Sequence, residues 1–192
     1  MRVTCSKPFL LCVALLFLLD NRGFYLLVFG GVLIHEAGHL LAILLLRCSI
    51  ERLELRLSGL CLTYTQQVLG YGTDCIIALA GPVANLAAAG ILILCNRVCH
   101  SENMYLAIGI QVLLACFNLL PALPMDGGRA LQALISGFWG IDCGERVLQF
   151  SSALVSAGML GIGLYACKAP WYNPTLLITS ILLLVCLLKQ KS

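Results

Sequence analysis

The chain has 192 residues, 60% of them hydrophobic and 11% charged, against about 45–50% and about 25% in an ordinary soluble domain. That composition excludes a water-soluble globular protein and points to a membrane protein. The net charge of +3 comes from scattered residues that form no basic face long enough to track phosphates, so no nucleic acid is expected as a partner.

Six apolar segments follow one another, at about 8–19, 24–46, 75–95, 104–120, 151–167 and 174–188. The first follows Arg2 and Lys7 and imitates a signal peptide. Asp20-Asn21-Arg22-Gly23 lacks the small-residue cleavage pattern, however, so the segment reads as a retained anchor. Several segments are shorter than the roughly 20 residues that cross a bilayer, which requires a thinned membrane or helices extended by their flanks.

With all six crossing and the N-terminus inside, Arg2, Lys7, Arg47, Arg52, Arg56, Arg129, Arg146, Lys189 and Lys191 face the cytoplasm. Arg22, Arg97 and Lys168 remain outside. This asymmetry follows the positive-inside rule and puts both termini in the cytoplasm. Trp171 and Tyr172 precede the last segment as an interfacial aromatic belt would. With no linker, repeat or low-complexity tract, residues 1–192 read as a single transmembrane domain. The expected fold is an all-α polytopic membrane protein of about six transmembrane helices.

Between the second and third segments, IERLELRLSGLCLTYTQQ changes period. Leu53, Leu55 and Leu57 alternate with Glu54 and Arg56, Ser58-Gly59 interrupts, and Leu60, Leu62 and Tyr64 alternate with Cys61 and Thr63. A period of two predicts a small β-hairpin-like segment, resting on lipid headgroups or holding substrate. The 11 cysteines fall mostly inside apolar runs, without C-x-x-C spacing, and read as small hydrophobes. Cys95 and Cys99 read as flanking a short loop and could pair, though nothing demands it.

The chemistry is concentrated in VLIHEAGHLLAILLL, residues 32–46. Ionisable groups are costly inside a membrane and mark function there. His35 and His39 are four apart, so a helix puts both imidazoles on one face within reach of one metal ion. Glu36 is placed to act on water as a general base, the H-E-x-x-H arrangement of zinc hydrolases. A catalytic zinc takes three protein ligands, so a third is needed. Glu51 and Glu54 fall in the strand-like stretch and His100 on the opposite side.

The better candidate is Asp126 in FNLLPALPMDGGRAL, residues 117–131. Pro121 and Pro124 stop the helix before it, and Gly127-Gly128 is expected to turn the backbone tightly before a new helix. Irregular backbone at membrane depth is tolerated where it is buried in protein or lines a wet cavity. Both the second and the fourth segment run outward to inward, so all three ligands would meet near the cytoplasmic side.

H-E-A-G-H at 35–39 with N-L-L-P-A-L-P-M-D-G-G at 118–128 resembles the site-2 proteases, the intramembrane zinc metalloproteases. The A-G-P-V-A-N run at 80–85 is similar to that family's third-span motif. The spacing of Asn118, Pro121, Pro124 and Asp126 resembles the bacterial sporulation branch, which processes the sigma K precursor. The resemblance implies one zinc ion held by His35, His39 and Asp126, with Glu36 as base. It puts Asn85, Asn118, Pro121 and Pro124 near bound substrate.

It further implies regulated proteolysis of a membrane-tethered protein in a bacterial cell membrane, with inhibitory membrane proteins as partners beside lipid. Relatives often carry a PDZ or a CBS domain; with Ser192 directly after the last segment, neither is expected. The rival readings are a catalytically silent zinc-binding membrane adaptor, a site-2 protease acting on anti-sigma factors, and a metal transporter. Glu36 argues against the adaptor, because a structural metal site needs no base. Clustering of the ligands at one point argues against a transport path.

Overall fold

The computed structural model describes residues 2–5, 23–48, 50–56, 59–64, 70–166 and 175–190. The anchor expected at 8–19 and the aromatic pair at 171–172 lie outside them. Element order is β1 (Arg2–Cys5), α1 (Phe24–Leu45), β2 (Ile50–Arg56), β3 (Gly59–Tyr64), α2 (Tyr71–Cys99), α3 (Glu102–Asn118), α4 (Asp126–Trp139), α5 (Ile141–Ala166) and α6 (Thr175–Gln190). The strands form one sheet in the order β1-β2-β3. β1 runs parallel to β2, with Arg2 opposite Arg52. β2 and β3 run antiparallel, from Ile50 opposite Tyr64 to Arg56 opposite Gly59.

Among the described residues, three helices are long and apolar enough to cross a membrane: Phe24–Leu45, Tyr71–Val98 and Ile141–Ala166. α3 with 17 residues and α6 with 16 are shorter than the roughly 20 a straight span needs. The fifth apolar segment, read from residue 151, belongs to a helix that starts at Ile141 and takes in Glu145 and Arg146. Cys95 is a free thiol, and it lies with Cys99 on the helix α2 rather than across a loop.

Contacts divide the chain into two compact units, residues 1–69 with 80–115, and residues 70–79 with 116–192. In the first, α1 buries Gly31, His35, Gly38, His39, Ala42 and Ile43, a helical stripe of spacing three and four. Leu41, Leu44 and Leu45 on its other face are exposed. Small and polar residues inside with leucines outside is the reverse of a soluble helix and the pattern of one solvated by lipid. Backbones approach closely where glycine permits. A Cβ on Gly38 would sit 2.6 Å from the Ala80 carbonyl oxygen and 2.7 Å from the Ala84 Cβ, and one on Gly31 would sit 2.8 Å from Leu114 Cδ1. α1 ends in a Schellman motif: the Cys48 N–H bonds Ile43 O at 3.0 Å, the Arg47 N–H bonds Leu44 O at 3.1 Å, and Arg47 takes φ 56.

In the second unit, α5 presents Gly144, Leu148, Ser152 and Ser156 on one buried stripe. Gly144 packs against α4, where an added Cβ would lie 2.9 Å from the Gln132 carbonyl oxygen. α4 buries Asp126, Gly128, Ala130, Ala133 and Ser136 and leaves Phe138 and Trp139 exposed. Asp126 is the first helical residue, so Gly127 and Gly128 lie within the helix and do not form the turn expected from sequence. Their role is close approach: a Cβ on Gly128 would meet Ala122 O at 2.6 Å, and one on Gly127 the Leu119 carbonyl and Leu120 O.

Gly38→Val should destabilise the fold by about 1–3 kcal/mol, the usual cost of overpacking, because rigid backbone stands opposite. Gly30→Ala, with nothing within 4 Å of its added Cβ, should be neutral or stabilising through helix propensity. Thermal unfolding of both variants in detergent checks the contrast.

Candidate metal centre

α1 carries His35 and His39 one turn apart, with Glu36 next to the first. His35 and His39 are 7% and 8% exposed, and their rings meet edge to face with centroids 4.8 Å apart. Their Nε2 atoms lie 3.2 Å apart. Two nitrogens on one tetrahedral zinc, each at about 2.0–2.1 Å, would be separated by about 3.3 Å, so the pair is spaced as a ligand pair. Glu36 is half-buried.

Asp126 is buried at the start of α4. Its carboxylate and ring nitrogens of His35 and His39 offer ligand atoms all within 4.8 Å of one another, and among the described residues this is the group that can hold a metal ion. Two imidazoles and a carboxylate form the nitrogen-and-oxygen donor set that zinc accepts, with a fourth position left for reactant. His100, weighed from sequence as a ligand, lies after the end of α2 and is not part of the group. The side chains of Glu51 and Glu54 lie outside the described set.

The segment leading to Asp126 is held from two sides. Within it the Ala122 N–H bonds Leu120 O at 2.8 Å and the Met125 N–H bonds Ala122 O at 2.8 Å. From α5, the Ser152 hydroxyl accepts the Leu123 N–H at 2.9 Å. Pro121 and Pro124 are exposed along this segment, the Leu123–Pro124 bond is cis, and half-buried Asn118 closes α3. Asn85 of α2 has no exposed surface and sets its amide 3.3 Å from His35 Nδ1.

Two supports were not read from sequence as parts of this site. One is Ser152, signalled only as a polar residue within an apolar helix. The other is Gly38, signalled as a glycine inside an otherwise continuous helical run. Gly81, by contrast, stands directly against the ligands: an added Cβ there would lie 2.7 Å from His39 Cε1 and 2.8 Å from His35 Cε1, and would also meet His39 Nε2. Gly81→Ala should therefore lower zinc affinity by about tenfold or more, a loss of the size seen when the groups orienting ligands are disturbed. Chelator competition on the purified protein measures it.

No family model matches the sequence. It is 30% identical over 151 residues to a Synechocystis sp. protein whose name assigns it to the zinc metalloproteases, covering 71% of this chain and 39% of that one. It is 28% identical over 142 residues to a zinc metalloprotease of Methanocaldococcus jannaschii, covering 69% of this chain and 41% of that one. The chain thus spans about two fifths of the length of these curated relatives. Among solved structures, it shares the fold of a site-2 protease from Methanocaldococcus jannaschii, with a TM-score of 0.68 and 23% identity over 96% of this chain and 86% of the other.

Proposed function

We propose that the chain is an intramembrane zinc metalloprotease of the site-2 protease type, with His35, His39 and Asp126 as ligands of one zinc ion and Glu36 as general base. The observation that carries this reading is the grouping of those three donors with a carboxylate residue directly after the first. The shared fold and the zinc metalloprotease relatives support it.

His35, His39 and Asp126 would hold the zinc, which would supply Lewis acidity to the scissile carbonyl and activate water at neutral pH. Glu36, one residue from His35, takes the proton from the attacking water and delivers it to the leaving amine. A helical substrate must unwind first, since a carbonyl locked in helical hydrogen bonds is not open to attack. The sheet order leaves β3 as an edge, and an extended substrate can add to such an edge by main-chain hydrogen bonds. Asn118 ends α3, and Pro121 and Pro124 keep residues 119–125 from closing into helix, so that substrate would meet an irregular segment there.

The charge distribution supports both termini and the zinc site facing the cytoplasm, and the resemblance to the sporulation branch supports a bacterial cell membrane. That geometry suits a membrane-tethered substrate whose product is released as a soluble cytoplasmic protein. The sigma K precursor is the first candidate on the spacing from Asn118 to Asp126. An anti-sigma factor is the second.

Glu36→Gln should retain zinc yet lose about 10²–10⁴-fold in turnover, the usual contribution of a general base, whereas Asp126→Ala should lose zinc and activity together. Metal analysis beside a cleavage assay separates the two, and normal turnover by Glu36→Gln would remove Glu36 from the mechanism. For the substrate, co-expression with the sigma K precursor of the same organism should yield a shorter, soluble product that Glu36→Gln does not make. Cleavage of a membrane-spanning anti-sigma factor instead would keep the protease and discard the sporulation role.

A further inference from the structure

Asn85 sits on α2, four residues after the Gly81 that packs against both histidine rings. It is completely buried, and in a chain solvated by lipid such a polar side chain is costly unless it has work there. Its amide nitrogen is placed 3.3 Å from His35 Nδ1, while its Oδ1 has no hydrogen-bond partner. The amide oxygen and nitrogen exchange places by a half-turn of the side chain, so the bonds each can make decide which one faces His35.

The chemistry of His35 selects between the two settings. A neutral imidazole has one N–H and one lone pair. If the Asn85 nitrogen donates to Nδ1, the ring proton is forced onto Nε2, the atom that faces His39 Nε2 at 3.2 Å. Nε2 then has no lone pair for a metal. If Oδ1 takes that place instead, it accepts from Nδ1–H, and the Nε2 lone pair is left for the ligand group. Metal-bound histidines are generally held in this way by an acceptor behind the ring.

We infer that Asn85 is a positioning residue that presents Oδ1 to the His35 Nδ1–H, holding His35 in the tautomer whose Nε2 can ligate the metal. The inference rests on the metal-site reading above and goes beyond it, because it assigns Asn85 to the histidine and not to bound peptide.

The test is zinc affinity of the purified full chain in detergent, by chelator competition, which needs no substrate. Asn85→Leu has similar size and no acceptor, and should weaken zinc binding by about 10–100-fold. Asn85→Asp keeps an acceptor at the same place without an N–H, and should hold zinc at least as tightly as the native chain. Loss of zinc by Asn85→Asp to the level of Asn85→Leu would overturn the proposal, since donation or mere shape would then be what matters. So would native affinity in Asn85→Leu while His35→Ala loses zinc, and that result leaves the metal site itself standing. Unchanged affinity in His35→Ala would instead remove the metal-site reading and this proposal with it.

Discussion

Two imidazoles and a carboxylate have to be buried among apolar helices without leaving any of them as an isolated charge, and most of the packing around them answers to that requirement. A lone ionised group in a low-dielectric interior costs far more than a fold's net stability. Grouped within 4.8 Å, the same three become a site that a divalent ion can neutralise. Grouping needs space for two rings side by side, and Gly81 supplies it. Any side chain there would occupy the volume of His39 Cε1 and His35 Cε1.

The carboxylate side of the site is built by a different device. Asp126 opens α4, where the unpaired backbone N–H groups of a helix N-terminus favour a negative charge. Gly127 and Gly128 let that helix start lie against the carbonyls of residues 119–122, and Ser152 fastens Leu123 to α5. The segment is irregular, but its backbone groups are largely satisfied, as protein interior at membrane depth demands. A side chain at either glycine would push the helix start away from the segment that precedes it.

Both units use one packing rule. Without a hydrophobic force between helices in lipid, association depends on close contact and buried hydrogen bonds. Gly31 and Gly38 on α1 and Gly144 on α5 provide the contact. Leucines, elsewhere the core of a protein, are left on the outside of α1. The composition that excluded a soluble protein is therefore also what decides which face of each helix turns inward.

The sequence by itself determined what is local. The spacing of His35, Glu36 and His39 is legible because a helix carries residues four apart to one face whatever surrounds it. The apolar runs are legible because lipid selects for them along the whole segment, although the start of α5 ten residues before its apolar run was hidden by Glu145 and Arg146. Asp126 had to be inferred as the third ligand, because helical spacing carries no information about a residue so far from the histidines along the chain. Gly127 and Gly128 read as a turn, since glycine carries the same signature whether its backbone bends or another backbone approaches it. Only the tertiary structure decided for close approach, by bringing carbonyls of residues 119–122 to where the Cβ atoms would be. It likewise decided where Asn85 belongs: a single asparagine in an apolar helix announces a polar contact, but the identity of its partner is a matter of which helix lies opposite.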